Sequence, residues 1–109
     1  MDLALRAIVE PRRREILRLV QGTERSSGEI AAQFSVTQAA ISQHLGVLAA
    51  AGLVLVRRDG TRLLYRARPD GLAELKRYLE EFWDDRLQVL AREAEAEELR
   101  AGLGDTQER

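Results

Sequence analysis

Apolar residues near the start of the chain recur at helical spacing and predict two short helices. The first covers 2–9, and the second covers about 11–21. Pro11 suits the first position of a helix, and Gly22 is placed to end it. The apolar stripe of the second helix consists of Ile16, Leu17 and Val20.

A second pair of helices follows, joined by a tight turn. Ser26-Ser27, followed by an acidic residue, is typical of a capped N-terminus and predicts a short helix over about 26–34. Thr37 is placed to cap a longer helix over 37–51, which Gly52 ends. The residues expected to pack the pair together are Phe34, Val36, Ile41, Leu45 and Leu48.

The pattern then changes from helix to strand. Two β-favouring runs, 53–58 and 61–68, flank Asp59-Gly60, which is a strong signal for a tight β-hairpin. Residues 69–71 are expected to close this hairpin, and a long helix is expected to begin at about 72. Its apolar positions are Leu75, Leu79, Phe82, Trp83, Leu87 and Leu90.

The order of elements predicts a mainly α fold with a two-stranded β-hairpin wing, the α-α-α-α-β-β-α arrangement of a winged helix-turn-helix. We expect one domain over 1–102, including the helix from about 72, and a flexible tail over 103–109. The wing is the hairpin around Asp59-Gly60.

Composition excludes several classes of function. The 109 residues, 45% hydrophobic and 32% charged, are typical of a soluble globular chain. No apolar run approaches the ~18–20 residues of a membrane span, and no signal peptide is recognisable, so we expect a cytoplasmic protein. With no cysteine and one histidine, we expect no metal site and no cofactor.

Charge is unevenly distributed along the chain. The net charge is −1, but residues 1–68 carry +5 and residues 69–109 carry −6. A basic first part suits a face that meets a polyanion such as DNA. The alternative is two ordinary solvated faces.

The helix over 37–51 has an uncharged face opposite its apolar stripe. Short side chains permit close approach to the major groove, and amides or hydroxyls pair with base edges. The candidate DNA-contacting residues are Thr37, Gln38, Ala39, Ser42, Gln43 and His44, of which His44 is nearer the core edge and suits packing or a phosphate contact. The alternative is a small-residue face that packs against a partner protein.

Arginines cluster on the predicted hairpin. They are placed to meet phosphates or to enter the minor groove. The candidate residues are Arg57, Arg58, Arg62 and Arg66, with Arg62 the first choice. For any one of them, the alternative is that a cation on an edge strand discourages aggregation.

These features together resemble the ArsR-type family of winged-helix repressors, especially members without a metal site. The resemblance is carried by the segments 9–17 (VEPRRREIL), 27–31 (SGEIA), 37–45 (TQAAISQHL), 48 with 51–54 (L, AGLV), and 58–60 with 64–66 (RDG, LYR). It covers roughly 3–90. It implies that the helix over 37–51 is the recognition helix and that the first and last helices form a dimer interface.

A dimer is also expected on physical grounds, because one recognition helix has a small footprint and two related by a dyad read half-sites ~34 Å apart. The alternative is that the last helix folds back on its own domain. The residues expected in the interface are Leu3, Leu5, Ile8, Leu75, Leu79, Phe82, Trp83, Leu87 and Leu90.

The sequence thus predicts a sequence-specific DNA-binding transcriptional regulator, a repressor that binds an inverted repeat as a homodimer. The alternative is a winged-helix module that binds protein and not DNA. The acidic pairs on the last helix lack a nearby nucleophile, so we expect no enzyme. No residue pattern identifies an effector ligand.

Overall fold

The computed structural model describes residues 1–82 and 88–108, and of residues 103–108 the backbone alone. In this part of the chain the elements run α1 (Asp2–Val9), α2 (Pro11–Leu19), β1 (Arg25–Ser26), α3 (Ser27–Ala31), α4 (Gln38–Ala50), β2 (Val54–Asp59), β3 (Arg62–Ala67), α5 (Pro69–Phe82) and α6 (Gln88–Glu108). The residues group into two units, Met1–Leu75 and Lys76–Arg109.

The core of the first unit lies where α1, α2, α3 and α4 meet the base of the sheet. Its fully buried large side chains are Ile16, Val20, Ile30, Ile41, Leu45, Leu48 and Leu53. The predicted apolar stripe of α4 is therefore confirmed. The short helix predicted over about 26–34 is α3, which ends earlier, at Ala31. Phe34, predicted inside that helix, and Val36, from the predicted turn, are half-buried against this core.

The predicted helix N-termini are confirmed by their caps. Ser26 and Glu29 form a reciprocal capping box at the start of α3, with each side chain accepting from the other's backbone N–H. The Thr37 hydroxyl accepts from the Ala40 backbone N–H at 3.1 Å and begins α4. These caps satisfy backbone donors that have no partner inside the helix.

The C-terminus of α4 is fixed by Gly52. Its φ of +75° lies in the left-handed region, which glycine adopts without steric cost. The Leu53 N–H then donates to the Leu48 carbonyl and the Gly52 N–H to the Ala49 carbonyl, both at 3.0 Å. This hydrogen-bond pair is a Schellman motif, so the helix ends sharply and leads straight into β2.

The sheet has three antiparallel strands in the order β1-β3-β2, and not the two that the sequence predicts. The wing consists of β2 and β3, paired from Val54↔Ala67 to Asp59↔Arg62. The additional strand, β1, pairs Arg25 with Tyr65 and Ser26 with Leu64. Two residues are too few to show an alternating pattern, which explains why β1 is not recognisable in the sequence.

Helix α5 begins at Pro69, three residues before the predicted start. Residues 69–71 are therefore its first turn and not a hairpin closure, which agrees with the preference of proline for the first helical position. The Leu72 N–H donates to the Arg68 carbonyl at 3.1 Å. Gly71 faces the Gly52 carbonyl so closely that an added Cβ would lie 1.9 Å from that oxygen.

The second unit contains the rest of α5 and the whole of α6, which runs to Glu108. The sequence predicts one long helix from about 72 and a flexible tail over 103–109. Residues 83–87, which include Trp83 and Leu87, lie outside the described residues. Within residues 1–82 and 88–108, no helix combines the length and the apolar character that crossing a membrane requires.

Candidate nucleic-acid interface

Helix α4 has one fully buried face and one exposed face. Ile41, Leu45 and Leu48 are 0% exposed. The opposite stripe recurs every three to four residues and is exposed throughout; its members are Ala39, Gln43, Gly46 and Ala50. Because α4 contains no charged residue, this face is neutral. Of its four residues, only Gln43 has a long side chain.

Two residues at the start of α4 are held by hydrogen bonds. Thr37 is occupied as the N-cap. The Gln38 amide nitrogen donates to the Ser27 hydroxyl at 3.1 Å, so this side chain joins α4 to the first turn of α3. Both side chains are exposed but preorganised.

The next turn of α4 holds two exposed polar side chains, Ser42 and Gln43. Neither makes a side-chain hydrogen bond within the part of the chain that the structure describes. Gln43 borders an open groove whose other lining residues are Arg13, His44, Gly46, Val47 and Ala50. An amide in this position suits a bidentate contact with a base edge.

His44 differs from the other candidate residues because it is half-buried. Its Nδ1 atom lies 3.3 Å from a guanidinium nitrogen of Arg13 in α2. The structure therefore gives it a contact inside the protein, which agrees with its expected place near the core edge.

The register of the wing divides its arginines between two faces. Alternate residues of a strand point to opposite sides of a sheet, and paired residues share a side. Arg57, Arg62 and Arg66 therefore lie on one face and Arg58 on the other. All four are exposed.

Two of these arginines form ion pairs with acidic side chains, and a third, Arg66, lies near enough to Glu24 to lower the pKa of its carboxyl group. Arg57 binds the Glu24 carboxylate through two hydrogen bonds of 2.8 and 2.9 Å. These bonds lower the pKa of Glu24 and raise that of Arg57. Arg62 lies 3.7 Å from Glu29. The pKa of Glu29 is lowered chiefly by its hydrogen bonds from Ser26, with a smaller effect of Arg62.

The first turn of α3 connects the two candidate surfaces. Ser27 accepts the Gln38 hydrogen bond, and Glu29, two residues later, lies beside Arg62. The N-terminal end of α4 and one face of the wing therefore flank the same turn. The structure brings together residues that are 24 positions apart in the sequence, Gln38 and Arg62.

Seven of the nine residues predicted for a dimer interface lie in the described part of the chain, Trp83 and Leu87 being outside it, and these seven fall into three groups. Four are exposed by 43–58%: Leu3, Leu79, Phe82 and Leu90. Leu5 and Ile8 are half-buried against the core. Leu75, at 5% exposure, belongs to the core of its own unit and offers little surface to a second copy.

Within the described residues, no group of three or more histidine, cysteine or acidic side chains is placed to hold a metal ion. Asp84 and Asp85, which the sequence places in the acidic run of the last helix, lie outside these residues.

The three arginines in the first turn of α2 have roles that the sequence-based predictions do not include. Arg12 lies 4.6 Å over the ring of Phe34, a cation–π contact, and Arg13 and Arg14 donate to backbone carbonyls of α1. A signal was available, because cations directly after a helix end often bind its last carbonyls.

Comparisons with known proteins agree with this geometry. Residues 10–55 match the model of the family described as bacterial regulatory protein, arsR family. The HTH-type transcriptional regulator Rv2034 of Mycobacterium tuberculosis is 40% identical over 82 residues, 75% of this chain and 77% of that protein. The transcriptional repressor SdpR of Bacillus subtilis is 35% identical over 65 residues, 60% and 72% of the two chains.

A solved structure extends the likeness to the fold. It is the homodimeric winged helix-turn-helix DNA-binding domain Mb0332 from Mycobacterium bovis, at 31% identity and a TM-score of 0.63. The match covers 79% of this chain and 80% of that one. The fold is thus a winged helix, and the relatives are regulators and not enzymes. The chain belongs to the ArsR family of bacterial regulatory proteins.

Proposed function

We propose that this protein is a transcriptional repressor that binds an inverted-repeat operator as a homodimer, with α4 in the major groove. The observation that carries the proposal is the exposed face of α4. It is uncharged, consists mostly of small residues, and has two polar side chains without partners among the described residues, Ser42 and Gln43. A helix of 13 residues is about 20 Å long, enough to follow several base pairs. Binding to chromosomal DNA would place the protein in the cytoplasm.

The wing supplies the second contact. Its exposed arginines add positive charge beside α4, and contacts to phosphates fix the position of a reading helix without reading sequence. Arg57 is already paired with Glu24 through two short hydrogen bonds. Arg58, Arg62 and Arg66 are therefore the stronger phosphate contacts, although Glu29 competes for Arg62 and the Glu24 carboxylate also attracts Arg66.

Repression and dimerisation are supported by the relatives. SdpR is a transcriptional repressor, and the Mycobacterium bovis domain is homodimeric. The exposed apolar side chains of α1, α5 and α6 provide surface for a contact between two copies; they include Leu3, Leu79, Phe82 and Leu90. A dyad between two copies would present two copies of α4 to successive turns of DNA.

Replacing Gln43 by alanine should relax the preference for one operator base pair by about 1–3 kcal/mol, because a bidentate amide contact is lost. Affinity for random DNA should be unchanged. The measurement is competition binding against operator variants, one base pair at a time. Gln33→Ala, an exposed glutamine outside α4, is the matched control. Equal losses on operator and random DNA would contradict base reading by Gln43.

Replacing Arg62 by alanine should weaken binding to all sequences by a similar factor. Because each subunit of the homodimer loses one phosphate contact, the slope of log K against log salt should also fall by about 2. Binding is measured at several salt concentrations, with Arg92→Ala, an exposed arginine of α6, as the matched control. A slope identical to that of the unmodified protein would remove Arg62 from the interface.

The same salt series distinguishes a DNA-binding repressor from the alternative function, a winged-helix module that binds protein and not DNA. Such a module would show no affinity for DNA or heparin at low salt, and neither the Gln43 nor the Arg62 variant would change that result.

A further inference from the structure

The C-terminus of α1 is capped by two neighbouring arginines of α2. The last four carbonyls of an α-helix have no partner inside the helix. Here, the Arg6 and Ala7 carbonyls accept from Arg13, at 3.3 and 2.7 Å. The Ile8 and Val9 carbonyls accept from Arg14, at 2.7 and 3.0 Å. Both cations also lie at the negative end of the helix dipole, where positive charge is favourable.

Only one of these arginines has a described contact with α4. The third nitrogen of the Arg13 guanidinium lies 3.3 Å from Nδ1 of His44. Because a guanidinium has no acceptor, it must donate, and Nδ1 must carry no proton. The His44 ring is then held with its proton on Nε2. Arg14, with the same charge and the same capping role, makes no such contact among the described residues.

Few polar contacts of this kind hold α4. Within the described residues, its side chains make two hydrogen bonds to other elements, Gln38 to Ser27 and His44 to Arg13. At 100° per residue, Gln38 and His44 lie about 120° apart around the helix axis. The contacts of the buried apolar side chains are non-directional and tolerate a small rotation of the helix. Two hydrogen bonds at different positions around the helix axis oppose such a rotation.

We infer that Arg13 is a positioning residue for α4, which fixes the rotation of this helix relative to the C-terminal end of α1 through His44. The inference rests on the proposed function, in which α4 reads base pairs. Arg13 and His44 also line the groove that Gln43 borders, so a small rotation here displaces the reading side chain directly. Productive geometry at such a site is lost with shifts of less than ~1 Å.

The test compares Arg13→Gln with Arg14→Gln. Each variant removes one charge and two carbonyl caps from α1, but only the first removes the contact with α4. The readout is the ratio of affinities for a selected operator and for random DNA, measured with variants whose unfolding transitions show that they are folded. We expect Arg13→Gln to lower the ratio about tenfold, and Arg14→Gln to leave it within about twofold.

A second comparison places the effect on His44. In a His44→Asn background the amide oxygen offers an acceptor in place of Nδ1, and Arg13→Gln should still lower the ratio. In a His44→Ala background, which has no acceptor, Arg13→Gln should have no further effect. Equal losses for Arg13→Gln and Arg14→Gln, or the same Arg13 effect in both backgrounds, would overturn the inference alone. Absence of any sequence preference in the unmodified protein would overturn the proposed function and this inference with it.

Discussion

Replacing Leu48 by alanine should lower the free energy of unfolding by about 2–5 kcal/mol, among the largest effects expected from a single change in this chain. Leu48 is 0% exposed and belongs to the cluster in which α4 meets α1 and α2. Its removal leaves a cavity that closely packed neighbours fill only in part. Small domains are stable by only about 5–15 kcal/mol, so this loss is a large share of the total.

The measurement is chemical denaturation followed by circular dichroism. Val47→Ala is the matched control, because Val47 is the adjacent residue of α4 but is 41% exposed. Its effect should stay within about 0.5 kcal/mol. Similar effects for the two variants would show that Leu48 does not lie on the buried face of α4.

Replacing Gly71 by alanine should destabilise the protein by about 1–3 kcal/mol, through overpacking. The added Cβ would lie 1.9 Å from the Gly52 carbonyl oxygen and 3.0 Å from its carbon. Both atoms are backbone in the turn that ends α4, so α5 or this turn must move. The cost exceeds the gain that alanine normally brings inside a helix.

Gly46→Ala is the control with the opposite expected sign. Gly46 lies in the middle of α4, and nothing is within 4 Å of the position its Cβ would take. Alanine there should stabilise the helix by about 0.5–1 kcal/mol. Thermal unfolding of both variants checks the pair, and a stabilised Gly71→Ala would contradict the close approach of α5 to the turn.

Much of the fold can be predicted because its signals are local. The capping box at Ser26, the cap at Thr37 and the glycine that ends α4 each act within a few residues of themselves. The wing follows from Asp59-Gly60 in the same way. The positions of α4 and of the wing can therefore be predicted from the sequence.

The elements that differ between the sequence prediction and the structure depend on tertiary contacts. β1 exists because two residues pair with β3, and their own pattern is too short to indicate a strand. The first turn of α5 contains a glycine, which reads as a turn signal, whereas the structure shows that this glycine allows a close approach to Gly52. Neither contact partner lies near in sequence, so periodicity cannot reveal it.

In the candidate site, too, local features could be predicted from the sequence and long-range contacts could not. The exposed face of α4 could be predicted from helical spacing alone. Which arginines have partners within the protein could not be predicted, because these partners are distant in the sequence. Glu24 and Arg57 are 33 residues apart, and Arg13 and His44 are 31 residues apart. Charge along the chain therefore overestimates the positive charge available to DNA, since several of its arginines bind partners within the protein.

The most direct test of the central claim is selection of bound fragments from random-sequence DNA by the purified protein. A homodimer that reads DNA through α4 should enrich one inverted repeat, with half-sites about one helical turn, ~34 Å, apart. A single half-site without its repeat would contradict binding as a homodimer. Recovery of no sequence above background would contradict DNA reading by α4 altogether.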